Sequence, residues 1–493
     1  MKNSIQGHKK ALIMTLILFS FLMIIGNFNK AKAQNFPAQN VSLLGRWFDS
    51  TVVSEPQHGI KYNGVFGWTN PGDGREYAII GSTAGTYFIE VTNPSLPVVR
   101  DFVGGRRDSC VWREIHTYQN FCYMVSDDGL PNSFQIVDLS PLPDSVHVVH
   151  DSTNIMSRCH TIFVDGDKLY AGIPKGPFGQ SSMAVFSLKN NPASPFLLRR
   201  LEEDYTGIDA THDMFVRHDT IYASMSNSGY FVYRFDTLLN KFLLLGSLTS
   251  YPFKGYNHSS SVTESGISIM CDEVPSGLQV KAVDVNDLSD ITVTDTFKSN
   301  TGATPHNPYV VGNNRVVIAY YQDGVQIFDI SDPSNITRSG YFDTRPEIGD
   351  NNGYPGDPYQ GCWGAFTGLP SGNLLASDMQ NGLFILNINA ALGMDENIQT
   401  KSFSFIYPNP NTGKFSILWK KEREISSLKI ISVLGSIVFS KSMIENNCDL
   451  SGDSISGNFQ YSVDVSDFPE GIYFVLLSGM NFTEVKKLVK TNG

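Results

Sequence analysis

Four histidines recur at one position of a repeated strand pattern, and imidazole is the side chain that changes charge most readily near neutral pH. Counting back ten residues from Tyr123, Tyr170, Tyr222, Ser268 and Val316, each in a strongly hydrophobic stretch, reaches Arg113, His160, His212, His258 and His306. Equivalent positions of a repeat lie at similar height, so these five side chains are expected to converge. Neutral imidazoles meeting at a point suit a divalent transition metal such as zinc, copper or nickel, with Asp213 placed to orient a ring from behind. Protonated rings joined by Arg113 suit a carboxylate or phosphate instead. A third reading needs no ligand: a repeated polar side chain hydrogen-bonds the neighbouring repeat, and duplication alone preserves it.

The acids are less pointed. Asp127, Asp128, Asp272, Glu273 and Asp378 fall at or just past the ends of hydrophobic strands, where they either ring one face as acids or calcium ligands or merely solvate turns. The stretch 343–357 is acidic and rich in glycine, as suits a lid or an ordered surface excursion. Asp165-Gly-Asp167 reads as a hairpin turn. The sequence has no G-x-S-x-G elbow, H-E-x-x-H, Walker A loop, G-x-G-x-x-G or EF-hand pattern, so a catalytic centre would have to be assembled from several repeats.

The elements that position these residues repeat every 46 to 59 residues. The second strand of each unit contains Tyr77, Tyr123, Tyr170, Tyr222, Ser268, Val316 or Leu375. A turn follows, and then a third strand opening at Thr86, Phe134, Met183, Tyr230, Val280, Val325 or Leu383. These runs are β-branched and aromatic and bounded by Gly, Asp, Asn and Pro. Seven such units predict an all-β fold, a seven-bladed β-propeller followed by a small C-terminal β-sandwich. The seventh unit lacks a fourth strand after Ile388, whereas Ser42-Leu-Leu-Gly-Arg-Trp-Phe48 resembles one. Pairing it into the last unit would close the ring and cover an edge that otherwise invites other chains.

The 493 residues therefore divide into a leader at 1–33, a propeller at 34–394, a linker at 395–402 and a tail at 403–493. Lys2, Lys9 and Lys10, an apolar run from Ala11 to Ile25, and Ala31-Lys-Ala33 have the order of a secretory signal peptide, and the apolar run is short for a membrane span. Hydrophobic residues make up 41% and charged residues 17%, which suits many half-buried strands. The net charge of −11 is spread along the chain and argues against nucleic acid as a partner. Six cysteines in no regular framework read as buried thiols.

The tail carries Tyr407-Pro-Asn-Pro-Asn-Thr-Gly-Lys-Phe415, Leu434-Gly-Ser-Ile-Val438 and Pro469-Glu-Gly-Ile-Tyr-Phe-Val475. It resembles the type A sorting domain of the type IX secretion system. That resemblance implies passage through the outer membrane by the type IX machinery, removal of the tail, and attachment to surface lipopolysaccharide or release. The region from Val41 to Ile388 resembles the choice-of-anchor B family, related to LVIVD-repeat propellers. The matching segments are Trp112-Arg-Glu-Ile115, Cys159-His160, Thr211-His-Asp213, Gly255-Tyr-Asn-His-Ser259, Pro305-His-Asn-Pro308, Gln326-Ile-Phe-Asp-Ile-Ser-Asp-Pro333 and Ser377-Asp-Met-Gln-Asn-Gly-Leu383. It implies an extracellular propeller joined to an anchoring tail and brings no established reaction or ligand. The expected protein is a surface-displayed binding module of unassigned ligand; the alternative is a metal-dependent hydrolase or lactonase-like enzyme using the histidines.

Overall fold

The alternation of apolar with polar residues along each short run leaves one solution, strands that bury a face against neighbouring sheets. A computed structural model describes residues 36–128, 131–348, 358–393, 404–420, 425–432, 437–442, 451–453, 458–479 and 482–491. The chain divides into two units at Gly393/Met394. Both are all-β, and among the described residues the only helical turns are two short 3-10 segments. The leader, the linker, Cys448 and most of the acidic stretch 343–357 lie outside the described residues.

In the first unit, seven sheets of four strands follow one another, each an antiparallel meander apart from the additions noted below. Their first strands are Tyr62–Thr69, Arg113–Tyr118, Thr161–Asp165, Asp213–Arg217, Tyr256–Val262, Asn307–Val311 and Cys362–Phe366. Each lies beside the next in that order, and Cys362–Phe366 lies beside Tyr62–Thr69. Second strands are the most buried; Glu76–Ser82, Lys168–Gly172 and Leu374–Asp378 are covered along their whole length. Fourth strands such as His147–Ser152 face solvent.

The core is a set of layers between adjacent sheets. Ile269 and Val280 of the fifth sheet pack with Val316 and Ile318 of the sixth, and Tyr62 and Ile80 of the first pack with Leu375 and Ile385 of the seventh. Each fully buried aliphatic of this kind contributes about 1.5–3 kcal/mol. The five described cysteines are free and buried in these layers.

Ser42–Trp47 pairs antiparallel with Gly382–Asn387, from Ser42 opposite Asn387 to Trp47 opposite Leu383, and so supplies the fourth strand of the seventh sheet. Arg46 donates from Nε and Nη2 to the Asn381 carbonyl. Gly45 sits in the bulge of this strand, where a Cβ would meet the Pro94 carbonyl oxygen at 1.8 Å, so no other residue fits. Ala38–Gln39 adds a fifth strand to the sixth sheet by pairing with Tyr341 and Phe342.

The second unit contains two four-stranded sheets. Ser404–Tyr407, Lys414–Lys420, Asn458–Asp464 and Ser451–Asp453 form one; Ile437–Ser442, Ser427–Ser432, Gly471–Gly479 and Phe482–Lys490 form the other. Phe415, Ile417 and Trp419 of the first sheet share one core with Leu428, Ile430, Val475 and Leu488 of the second.

Candidate functional site

The first strands of the second to seventh sheets, with the residues just before them, place their N-terminal ends around one cavity of about 120 Å3. The pleat decides which side chains reach it. In the second sheet Trp112 and Glu114 face the cavity, and Arg113 between them faces the other way. Arg113 is buried, donates from Nε to the Ser82 carbonyl at 3.4 Å and packs against Gly105. It joins the first sheet to the second and stands apart from the histidines although the count of ten residues holds there, because Arg113 already lies within its strand, where the pleat turns it from the face of Glu114, whereas His160, His212 and His306 stand just before theirs.

The four histidines do come together. Their ring centroids are 4.1 Å apart for His160 and His212, 4.3 Å for His212 and His258, and 4.4 Å for His258 and His306. Trp363 continues the arc 5.0 Å from His306, and Trp112 lies 5.0 Å from Trp363. Six of the seven first strands thus contribute a ring at one level.

Each imidazole nitrogen Nδ1 has a characteristic environment. His212 meets the backbone carbonyl of His258 at 3.1 Å, and His306 meets that of Trp363. Both contacts run from one sheet to the equivalent position of the next, so these rings bind adjacent sheets together. His258 breaks the series, because the hydroxyl of Ser259 occupies the His306 carbonyl. His160 Nδ1 lies 2.6 Å from Asp127 Oδ2. Bonding through Nδ1 leaves Nε2 of His212 and His306 with a lone pair.

Electrostatics separate the four. Burial works against the charge of His160, but the hydrogen bond and charge of Asp127, with Glu114 and Asp213 nearby, outweigh it and raise its pKa above the ordinary value. Burial and neighbouring imidazoles hold His212 and His258 well below the usual range. Burial brings His306 down to about 3. The carboxyls move the opposite way: burial pushes Glu114 up to about 7 and Asp213 up to about 6, and it raises Glu273 as well.

Residues outside the histidine repeat complete the lining. Trp363 Nε1 donates to Glu114 Oε1 at 3.0 Å. The Tyr321 hydroxyl donates to Glu273 Oε1 at 2.8 Å, and its ring stacks on His306 at 4.4 Å. Tyr321 also holds a positive φ of 39°, a backbone conformation that a bulky residue adopts only where its surroundings impose it. Glu273 is among the acids singled out from sequence; Glu114 and Tyr321 carry no repeat signal, since each occurs in one sheet only.

The remaining acids separate. Asp272 is fully buried and paired with Lys281 at 3.0 Å. Asp378 is also fully buried and takes the Thr344 hydroxyl and the amides of Gln380 and Asn381. Asp128 accepts the amides of Val111 and Trp112. Asp127 is engaged by His160. They do not form one ring of calcium ligands, and Asp272, Glu273 and Asp378 are not solvated turn residues.

A second cavity of about 380 Å3 lies further along the same strands. Glu114, Thr161, Asp213 and Asn307 line both cavities. Beyond them His116, Phe163, Phe215, Tyr309, Phe366 and Phe66 form an aromatic collar.

Residues 405–491 match the secretion system C-terminal sorting domain. The chain therefore carries a type IX sorting tail and is exported to the cell surface or beyond. No curated protein matches it. Among solved structures, a proposed 6-phosphogluconolactonase of Bacteroides fragilis is 11% identical, covering 80% of this chain and all of that one, with a TM-score of 0.46. PorZ, described as a surface component of the type IX secretion system of Porphyromonas gingivalis, is 11% identical over 84% of this chain and 64% of its own, with a TM-score of 0.34. Sqt1 of Saccharomyces cerevisiae is 9% identical over 67% and 96%, with a TM-score of 0.45. Among the described residues no helix is long and apolar enough to cross a membrane.

Proposed function

We propose that this chain is a surface-displayed binding module, a closed seven-bladed propeller of the choice-of-anchor B and LVIVD-repeat kind that spans residues 34–394 and takes its ligand in the histidine-lined axial cavity. The seven successive sheets, the contact of the last first strand with the first, and the pairing of Ser42–Trp47 into the seventh sheet support the closed ring. One observation carries the binding role. Four imidazoles, three carboxyls and two tryptophans line a single cavity, and burial raises the pKa of Glu114, Asp213 and Glu273 there, a gathering of polar and titratable groups that marks a binding site rather than a packing core.

That lining also selects the ligand's chemistry. With Arg113 turned away and His160 already paired to Asp127, the cavity is rich in acceptors and poor in unpaired positive charge. It favours a group that brings hydrogen-bond donors or positive charge, and it disfavours the carboxylate or phosphate that the sequence allowed. In a thermal-shift series on the purified full chain, glucose or N-acetylglucosamine is expected to raise the Tm, and Trp363→Ala is expected to remove the effect. Stabilisation by inorganic phosphate alone would overturn this reading.

The leader at 1–33 and the tail at 403–493 serve as addresses in the same reading. The tail is cut off on passage through the outer membrane, and the propeller is attached to surface lipopolysaccharide. Mass spectrometry of the surface form is expected to show a chain beginning at Gln34 and lacking the tail; an intact tail on the displayed protein would contradict it.

A further inference from the structure

We infer that His212, His258 and Glu273 form a site for one divalent first-row transition metal ion, an assignment that rests on the axial cavity being where this chain binds its ligand. One nitrogen from each imidazole and one Glu273 oxygen lie within 4.8 Å of one another. All three side chains are buried, at 8%, 4% and 7% exposure. Around a tetrahedral ion with bonds of about 2.0–2.2 Å, neighbouring ligand atoms stand about 3.3 Å apart. His258 Nε2 and Glu273 Oε2 are 3.8 Å apart, and with no pair in the set beyond 4.8 Å the three side chains close in by up to about 1.5 Å to seat the ion.

The same 3.8 Å argues against a purely structural role for the pair. It is too long for a hydrogen bond, so the two atoms face one cavity without bonding each other, and a cation between them would bind both. The supporting contacts already have the form that metal ligands require. The His258 carbonyl meets Nδ1 of His212, which directs Nε2 of that ring away as a ligand. The Tyr321 hydroxyl holds Oε1 of Glu273 and leaves Oε2.

Two neutral imidazoles and one carboxylate select the ion. Calcium and magnesium prefer all-oxygen sets, and copper(I) prefers sulfur, whereas zinc, cobalt, nickel and iron(II) accept this set. Three protein ligands leave a coordination position open toward the cavity, where a ligand or water would complete the sphere. His160 and His306 lie in ring contact with the set but outside it.

Cobalt(II) is the probe, because its visible absorption reports coordination directly. The purified full chain, stripped with a chelator and titrated with cobalt(II), is expected to bind one equivalent, develop visible bands and gain several degrees in Tm. Glu273→Gln, which keeps the shape of the side chain, is expected to weaken binding at least tenfold. His258→Ala is expected to abolish the bands, and His160→Gln to keep the stoichiometry of one. Near-ultraviolet circular dichroism of the metal-free variants establishes that they are folded, and His212→Asn replaces either that is not. Absence of cobalt(II) and zinc(II) binding, or binding unchanged in Glu273→Gln and His258→Ala, overturns the metal site. If metal fails to bind while glucose or N-acetylglucosamine still stabilises the chain through Trp363, the binding-module reading stands and only the metal site falls.

Discussion

The two cavities along the axis are built from the same strands and solve opposite problems. Moving two or three residues down a first strand takes His160 to Phe163, His212 to Phe215, and Glu114 to His116. At the histidine end, stability depends on every buried polar atom finding a partner. At the aromatic end it depends on rings touching: Phe66 lies 4.6 Å from Phe366 and 4.3 Å from His116, and Phe163 lies 5.5 Å from Phe215. The contrast teaches that a repeat fixes where side chains converge, while the residue type chosen at each level decides what that convergence costs.

The sharpest way to break the contrast is to orphan a charge behind the polar end. Asp272 and Lys281 are fully buried partners, and Asp272 also takes the Tyr251 hydroxyl, the Gly255 amide and Asn257 Nδ2. Lys281→Met leaves that carboxylate without its cation and is expected to cost about 3–5 kcal/mol, measured by denaturant unfolding of the full chain. A loss below about 1 kcal/mol would mean that the polar end does not depend on paired charge.

The second test uses pH on the one imidazole of the aromatic collar. Burial lowers His116 to about 4, against 6.5 unfolded. Above pH 6.5 the ring is neutral in both states and costs nothing. As pH falls from 6.5 to 4, the unfolded chain takes up a proton that the folded one refuses. Stability therefore drops through that window, by up to roughly 3 kcal/mol. His116→Phe should flatten that part of the stability curve, and an unchanged acid limb would show that the collar does not exclude charge.

The third and smallest effect comes from packing alone. Phe215→Ala removes a half-buried ring that touches Phe163 and Tyr222, and a loss of about 2 kcal/mol is expected, below the 3–5 kcal/mol typical of a fully buried phenylalanine. A loss as large as that of Lys281→Met would erase the distinction between the two ends.

Much of this was legible from the chain itself. Strand periodicity located the second and third strands of every unit, because β-branched and aromatic runs between breakers have few other uses. The histidine arc was legible because it repeats. Arg113 misled because a repeat position fixes a level and not a direction: Arg113 lies inside its strand and points away from the cavity, whereas His160, His212 and His306 stand just before theirs. Glu114 and Tyr321 were hidden because nothing in a single sheet marks them; their roles exist only between sheets, in the contact of Trp363 to Glu114 at a separation of 249 and that of Tyr321 to Glu273 at 48. Asp272 could not be told from a turn residue without seeing Lys281 beside it.

The strand Ser42–Trp47 has a mechanical consequence. Any load delivered through the chain beyond Gly393 enters the first unit at its last strand, Gly382–Asn387. That strand is not an edge: it is zipped to Leu374–Asp378 on one side and to Ser42–Trp47 on the other. Peeling it away means breaking two ladders at once, so a module held by its tail end against flow would be gripped at one of its better-fastened strands.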